Sequence, residues 1–171
     1  QGLVDGGERA VESQREEVVA SVGKLVKHLD SQTELVERFF LEQADVRDEA
    51  ARLMEMFRLT YLEILDDEGT VLSSGAHPQR IGLTGLAGLP ADRSVLQRVS
   101  VPDDTLTLIL SRHDLQIGPR SLIVVGGREL DRPFVERIAG HDAAVLIEIG
   151  PGDDFRSEER RVGSGGGGRG G

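Results

Sequence analysis

The stretch "EILDDEGTVLSSGAHPQRIG", residues 63–82, decides how the rest of the chain is interpreted. Its two apolar segments, 63–66 and 70–74, carry enough Ile, Leu and Val to pair as strands. Gly69 lies between them and supplies the positive φ that a tight turn requires. The pattern therefore predicts a β-hairpin, followed by a loop that contains a histidine, a proline and an arginine.

Upstream of the hairpin, apolar residues recur at steps of three and four, which is typical of an amphipathic helix. They fit a heptad seam over residues 8–40: Val11, Val18, Val22, Leu25, Leu29, Val36 and Phe39. Such a helix would be about 50 Å long and exceed the width of a domain of this size, so part of it should protrude or pair. The seam suits either one face of a helix bundle or the stalk of a dimer.

A second helix is predicted over about 46–58, because Asp45 is a good cap and apolar residues follow it at helical spacing. After the hairpin, a glycine-rich connector leads to a predicted short helix at 90–98. Alternating apolar residues predict strands at 105–113 and 120–128, joined by the turn "DLQIGP". The remaining predicted elements are a short helix at 131–140 and a fifth strand at 143–150.

The predicted fold class is α+β, with a long N-terminal helix and a second helix packed on an antiparallel sheet of about five strands. Residues 1–58 are assigned to the helical stalk and residues 59–150 to the sheet domain. Residues 151–171 are first charged and then rich in glycine, and they carry little that could pack against a core. We therefore expect a flexible tail there.

Composition excludes several classes of function. The chain of 171 residues has no cysteine and a formal net charge of -10. The lack of cysteine excludes disulfides and thiolate catalysis, and the negative charge argues against a nucleic-acid partner. The four histidines, His28, His77, His113 and His141, have neither a catalytic motif around them nor the spacing of metal ligands. We accordingly expect no catalytic residue, no metal site and no cofactor.

Strand parity places an arginine in an apolar row. Within 105–113, Arg112 shares a face with Leu106, Leu108 and Leu110. A guanidinium in that position needs a partner, because an unpaired charge at an apolar surface is costly. The partner could be a ligand carboxylate. The alternative is that Arg112 reaches solvent or pairs with an internal carboxylate, for which the candidates are Glu63, Asp114 and Asp131.

The neighbouring strand repeats this parity from Arg120 to Arg128, with Gly126 leaving room beside them. We predict that a group of polar side chains converges on a small anionic ligand, most simply a carboxylate, with Arg112 as its principal charge partner. The candidate ligand-binding residues are Tyr61, His77, Arg80, Arg112 and Arg120.

The order of elements resembles the extracytoplasmic Cache sensor domains, which are PAS-like modules of bacterial histidine kinases and chemoreceptors. The resemblance rests on the long lead-in helix, on the hairpin and loop at 62–82, and on "LIVVGGRELDRPFVERIAG" at 122–140. It covers roughly residues 10–150. It implies a periplasmic location, a small ligand held by the sheet, and membrane attachment only through flanking segments that this chain does not include.

The prediction for function is thus a non-catalytic, ligand-binding sensor domain of a membrane-bound signal-transduction protein, most simply a two-component histidine kinase. One alternative is a homodimeric interaction module whose long helix binds and whose sheet is a scaffold without a ligand. Another is an intracellular PAS or GAF-type regulator. Because Gln32 interrupts the seam of residues 8–40, we expect any self-association through that helix to give a weak homodimer.

Overall fold

A computed structural model describes residues 2–41, 44–101, 104–130 and 149–150. Its helices are α1 Gly2–Asp30, α2 Thr33–Phe40 and α3 Glu49–Met56, with a 3-10 turn at Ala44–Asp48 before α3. Its strands are β1 Tyr61–Leu65, β2 Val71–Ser74, β3 Ser94–Val101, β4 Asp104–Ile117, β5 Arg120–Glu129 and β6 Ile149–Gly150. The α+β class with a long N-terminal helix is as predicted.

The described strands form one sheet in the order β2-β1-β5-β4-β3-β6. Strands β1 to β5 pair antiparallel with their neighbours, and β6 pairs parallel with β3 over two residues. The predicted hairpin is confirmed as β1 and β2, with Gly69 at a φ of 88° in the turn. Strands β3, β4 and β5 then follow one another in a meander, so the hairpin and the meander meet where β1 pairs with β5.

The predicted short helix at 90–98 is wrong, because most of it belongs to β3, Ser94–Val101. Eight residues of β3 pair with β4, which gives the segment a complete ladder that no isolated helix of this length could match. Val95, Val99 and Val101 alternate along it, and β-branched residues favour strands. Local helix signals were outweighed by pairing with β4, the next strand along the chain.

The predicted helix over 8–40 is present but interrupted. Helix α1 ends at Asp30 and α2 begins at Thr33, since Gln32 adopts a non-helical backbone with φ -109° and ψ 70°. The Ser31 hydroxyl donates to the His28 carbonyl at 2.6 Å, a local bond that competes with continuation of the helix.

Helix α1 lies along the sheet and does not need to protrude. Its 29 residues span about 43 Å, and the 14 residues of β4 span about 46 Å, so the two elements match in length. The apolar seam is buried against the sheet within one chain: Val11, Val18, Val22, Leu25 and Leu29 are each at most 4% exposed. The residues on which the predicted weak homodimer relied are therefore already packed inside the monomer.

Strand β4 is longer than the predicted 105–113 and continues to Ile117. Ile117 pairs directly with Arg120, so the turn is the two residues Gly118 and Pro119, with Gly118 at a φ of 59°. Most of "DLQIGP", predicted as a turn, is therefore strand. As a result Asp114 lies within β4, two positions beyond Arg112 and on the same face.

The two faces of the sheet are covered differently. The helix face packs on α1, α2 and α3 and includes Leu62, Ile64, Ile109, Leu122 and Val124. The opposite face includes Tyr61, Leu65, Leu108, Leu110 and Val125, and it packs against apolar residues of the connection between β2 and β3. We call residues 75–93 the cap segment and the face beneath them the cap face.

The cap segment has little regular structure beyond a 3-10 turn at Pro78–Arg80. Its middle pairs with the free edge of the hairpin, where Val71 N–H donates to the Leu83 carbonyl and Gly82 N–H donates to the Val71 carbonyl, both at 2.9 Å. Its end joins β4, where Asp92 N–H donates to the Arg112 carbonyl at 2.7 Å. The segment thus crosses the sheet from one edge toward the other.

Some predicted elements lie outside the described residues. These are the short helix at 131–140, all but the last two residues of the strand at 143–150, and the tail at 151–171. The boundary at residue 150 therefore stays a prediction, and so does the division at residue 58.

Candidate ligand site under the cap segment

A buried polar cluster lies between β1 and the cap segment. The Tyr61 hydroxyl donates to Glu63 Oε2 at 2.9 Å, and Arg80 Nε donates to the same oxygen at 3.2 Å. The side chains of Glu63 and Arg80 are 0% and 3% exposed. Tyr61 and Glu63 are two residues apart on β1 and hence share the cap face, while Arg80 reaches them from the 3-10 turn above.

The cluster also fixes the backbone of the cap segment. Arg80 Nη2 donates to the Thr84 carbonyl at 3.0 Å, and Leu86 N–H donates to Glu63 Oε1 at 3.3 Å. A methyl group at Gly85 would lie 2.5 Å from Leu65 Cδ2 and 2.9 Å from Glu63 Oε1. Only glycine therefore lets the chain pass this close to the sheet without a displacement.

Burial controls the protonation of the cluster. Desolvation raises the pKa of Glu63, and Arg80, the Tyr61 hydroxyl and the Leu86 N–H oppose that rise by stabilising the carboxylate. Burial and the nearby Glu63 carboxylate raise the pKa of Tyr61 well above its ordinary value, so its hydroxyl keeps its proton and acts as a donor. The result is one buried carboxylate that receives several donors.

His77 lies at the rim of the cluster. Its ring centroid is 5.8 Å from that of Tyr61, and the ring is half-buried. Burial first, and the charge of Arg80 second, lower the pKa of His77, so it is neutral at neutral pH. Three of the predicted site residues, Tyr61, His77 and Arg80, are therefore brought together.

Arg112 lies on the cap face, as the parity argument predicted, but it has partners within the protein. Its Nε and Nη2 each donate to a carboxylate oxygen of Asp114 at 2.9 Å, and its Nη1 donates to the Ala87 carbonyl. The alternative of an internal carboxylate is thus the one found. Arg112 was predicted to be the principal partner of a ligand carboxylate because its guanidinium was expected to need a partner. That reason does not apply, and Arg112 instead connects the cap segment to β4.

Arg120 does not join the cluster. It pairs with Ile117 at the start of β5, and the parity of that strand points it to the helix face, together with Leu122 and Val124. Its guanidinium lies 4.3 Å from the centroid of the Phe40 ring. The expectation that Arg112 and Arg120 converge is wrong, because the register of β4 and β5 puts them on opposite faces.

A second polar group lies between α1 and β4. His113 Nδ1 is 3.2 Å from Asp92 Oδ1, whereas His113 Nε2 and Ser111 Oγ are buried without a hydrogen-bond partner among the described residues. The His113 ring faces Gly23 of α1. No three potential metal-ligating side chains come together in the part of the chain that the structure describes.

Sequence reasoning named Glu63 only as a possible partner of an arginine and missed its central role. The signal was a charged residue in "YLEIL", which is buried along its whole length, with Glu63 at the same parity as Tyr61 and Leu65. A buried carboxylate on a strand requires a partner, and the next cation along the chain is Arg80 in the loop after the hairpin.

Comparisons with protein-family models, with curated proteins and with solved structures gave no match for this chain. Within the described residues, no helix is both long and apolar enough to cross a membrane.

Proposed function

We propose that this chain is the ligand-binding, extracytoplasmic sensor domain of a membrane-bound signal-transduction protein, with its site under the cap segment. The observation that carries the proposal is the buried cluster of Tyr61, Glu63 and Arg80 beneath an irregular segment. Apolar side chains would close this face with less desolvation, so a buried ion pair here suggests a purpose beyond stability.

The architecture supports the resemblance to Cache sensor domains. The proposed extracytoplasmic location and the proposed role in signal transduction depend on that resemblance. The hairpin comes first and the last three strands of the five-stranded antiparallel part run consecutively, which is the order that a PAS-like sheet has. A long helix leads into this sheet and packs along it. In the proposal, α1 follows a membrane span of the whole protein and carries the signal.

A path from the site to α1 exists in the packing. Tyr61 faces the cap segment and pairs with Gly127, while the next residue, Leu62, faces α1 and pairs with Gly126. A methyl group at Gly126 would lie 3.0 Å from Val22 of α1 and 3.3 Å from Leu62. A shift of β1 caused by a ligand would therefore press on α1 at this contact.

The proposal is tested by thermal unfolding of the 171-residue chain with a panel of small cations, organic acids, amino acids and neutral polar compounds. A ligand at 100 times its Kd stabilises the folded state by about 2.7 kcal/mol, which raises Tm by several degrees. We expect at least one class to do so. Screening the whole panel without any rise in Tm would contradict the proposal.

Two glycines of the cap segment provide a matched pair of variants for that screen. Gly85→Ala pushes the segment off the sheet, whereas Gly88→Ala adds its methyl group where no heavy atom lies within 4 Å. We expect the ligand-dependent rise in Tm to fall in Gly85→Ala and to persist in Gly88→Ala. Equal effects of the ligand on both variants would mean that it binds away from the cap segment.

The location has its own test in the full-length protein. A reporter that is active only outside the cytoplasm, fused within the loop between β4 and β5 at Gly118, should be active in cells. Activity of a cytoplasm-only reporter at the same position would favour the intracellular regulator instead.

A further inference from the structure

The ion pair under the cap segment joins a rigid part of the fold to a part with little regular structure. Glu63 lies on β1, which pairs with β2 on one side and with β5 along all of its five residues on the other. Arg80 lies at the end of the 3-10 turn in the cap segment. A molecule that enters between the cap segment and the sheet at this point separates the two charges.

The two charges respond differently to that separation. Arg80 moves with the cap segment, and its long side chain can reach water, where the guanidinium is hydrated. Glu63 cannot leave the sheet without breaking the pairing of β1. A buried carboxylate that has lost its cation is strongly destabilising unless it takes up a proton, so a ligand with cationic donors can stabilise the opened state by pairing with Glu63.

Resting on the function proposed above, we propose that the ligand of this site carries a guanidinium or amine group that takes the place of Arg80 on Glu63. The ligand is thus a small organic cation. This reverses the expectation of a carboxylate ligand, which depended on an unpaired Arg112.

The described contacts favour a cation over an anion. Two of the predicted site arginines lie on this side of the sheet, and each already has a carboxylate partner, Arg80 with Glu63 and Arg112 with Asp114. An anionic ligand would have to take one of these arginines away and would then lie beside the carboxylate it had left unpaired. A cation with N–H donors replaces the bond from Arg80 to Glu63 Oε2, while the Tyr61 hydroxyl keeps its own bond to that oxygen.

The wider charge distribution acts in the same direction. The chain carries a formal net charge of -10, which raises the local concentration of cations around it. His77, at the rim, is held neutral by its burial and adds no positive charge that would repel a cation at neutral pH.

The first experiment compares matched probes on the unmodified chain at constant ionic strength. Agmatine, methylguanidinium and putrescine represent cations, N-methylurea is the neutral analogue of methylguanidinium, and acetate and succinate represent carboxylates. We expect Tm to rise by about 5 °C with at least one cation at saturation, and not with N-methylurea or the carboxylates. The rise should be lost in Glu63→Gln, which keeps the shape of the side chain and removes its charge.

The second experiment removes the Arg80 guanidinium from Glu63 by substitution. Arg80→Ala should unfold at a lower temperature, and methylguanidinium should restore part of the loss while N-methylurea does not. Arg112→Ala is the control, because the Asp114 side chain is 39% exposed and water can solvate it, so no restoration is expected there. If Arg80→Ala does not fold, Arg80→Gln, which keeps a polar side chain and removes the charge, replaces it.

The outcomes separate this inference from the function on which it rests. Stabilisation of the unmodified chain by carboxylates and not by cations would leave a sensor domain but overturn the cationic ligand. Recovery of the Tm of Arg80→Ala by methylguanidinium, without any effect of cations on the unmodified chain, would also overturn it, because the cation would then not displace Arg80 from Glu63. No effect of the cations, together with a rise in Tm caused by another class of the wider panel, would overturn the cationic ligand alone, whereas no effect of any compound of that panel would contradict the proposed function itself.

Discussion

On the helix face of the sheet, α1 covers β4 and β5 with five apolar side chains that are each at most 4% exposed. On the cap face, Glu63 holds an irregular segment through its ion pair with Arg80 and the hydrogen bond from Leu86 N–H, and Arg112 holds it through a hydrogen bond to the Ala87 carbonyl. Apolar burial is non-directional and tolerates small displacements, whereas buried polar contacts are satisfied in one geometry only. The helix face is therefore suited to hold the fold together, and the cap face to respond to what it binds.

The largest effect that this comparison predicts follows from a charge in the helix seam. Val22 is 0% exposed, and its Cγ2 lies 3.0 Å from where a methyl group at Gly126 of β5 would be, so Val22→Asp buries a carboxylate against the sheet without a partner. We expect a loss of about 4 kcal/mol in the free energy of unfolding, or a chain that does not fold. Urea denaturation measures it.

Ala20→Asp is the control on the same helix, because Ala20 is exposed, and it should change the free energy of unfolding by less than about 1 kcal/mol. Should Val22→Asp fold with the stability of the parent and lose only self-association, the seam would face a second chain. The dimer-stalk interpretation would then replace packing on the sheet.

The next effect compares the two ion pairs of the cap face. Glu63→Ala leaves the Arg80 guanidinium buried without its carboxylate, and removing one member of a buried pair costs about 3 kcal/mol or more. Asp114→Ala removes a partner from Arg112, whose side chain is 22% exposed and retains its carbonyl acceptor, so the loss should be about 1 kcal/mol or less. Equal losses in urea denaturation would remove the distinction between the two pairs.

A smaller effect concerns pH. Burial raises the pKa of Glu63, so the folded chain holds this proton to a higher pH than the unfolded chain does. The stabilisation linked to that proton is complete below the ordinary carboxyl range and is lost as the pH rises through the raised pKa of the folded state. The free energy of unfolding of the parent should therefore fall relative to that of Glu63→Gln over this interval, by at most about 1.4 kcal/mol per pH unit.

Arg80 stays charged throughout that interval, so its lost partner in Glu63→Gln contributes a constant offset and no slope. Urea denaturation of both proteins between pH 4 and 8 measures the difference. A parent that gains stability relative to the variant as the pH rises would mean that Arg80 and the other donors outweigh burial, with the pKa of Glu63 lowered.

Prediction from the sequence succeeded where local signals and periodicity agree. The hairpin was marked by two apolar segments and by Gly69, and the seam of α1 by its regular spacing, so both appeared as expected. Strand β3 was missed because the helix signals at 90–98 were weighed above the alternation of its own valines, although the ladder with β4 favours a strand. A prediction that treats each segment alone cannot weigh such a ladder.

The site was predicted in part for a related reason. Parity along one strand correctly put Arg112 in the apolar row of Leu108 and Leu110. It could not predict whether Arg112 and Arg120 lie on the same face of the sheet, because that depends on the register between β4 and β5. A turn of two residues at Gly118 sets that register. The same short turn keeps Asp114 in the strand beside Arg112, where the sequence had suggested a loop.

The smallest predicted effect is that of Arg120→Ala, which tests whether the helix face contributes to stability but not to ligand binding. The Arg120 guanidinium lies over the Phe40 ring at an exposed position on the helix face, where such a contact contributes about 0.5 to 1 kcal/mol. Arg120→Ala should therefore lower the free energy of unfolding by no more than that and leave the rise in Tm caused by a ligand unchanged, because the ligand lies beyond the sheet. Urea denaturation and ligand-dependent thermal unfolding measure the two quantities. If Arg120→Ala abolished the response to a ligand that Glu63→Gln still bound, the binding site would lie on the helix face, and the cap segment would be a structural cover.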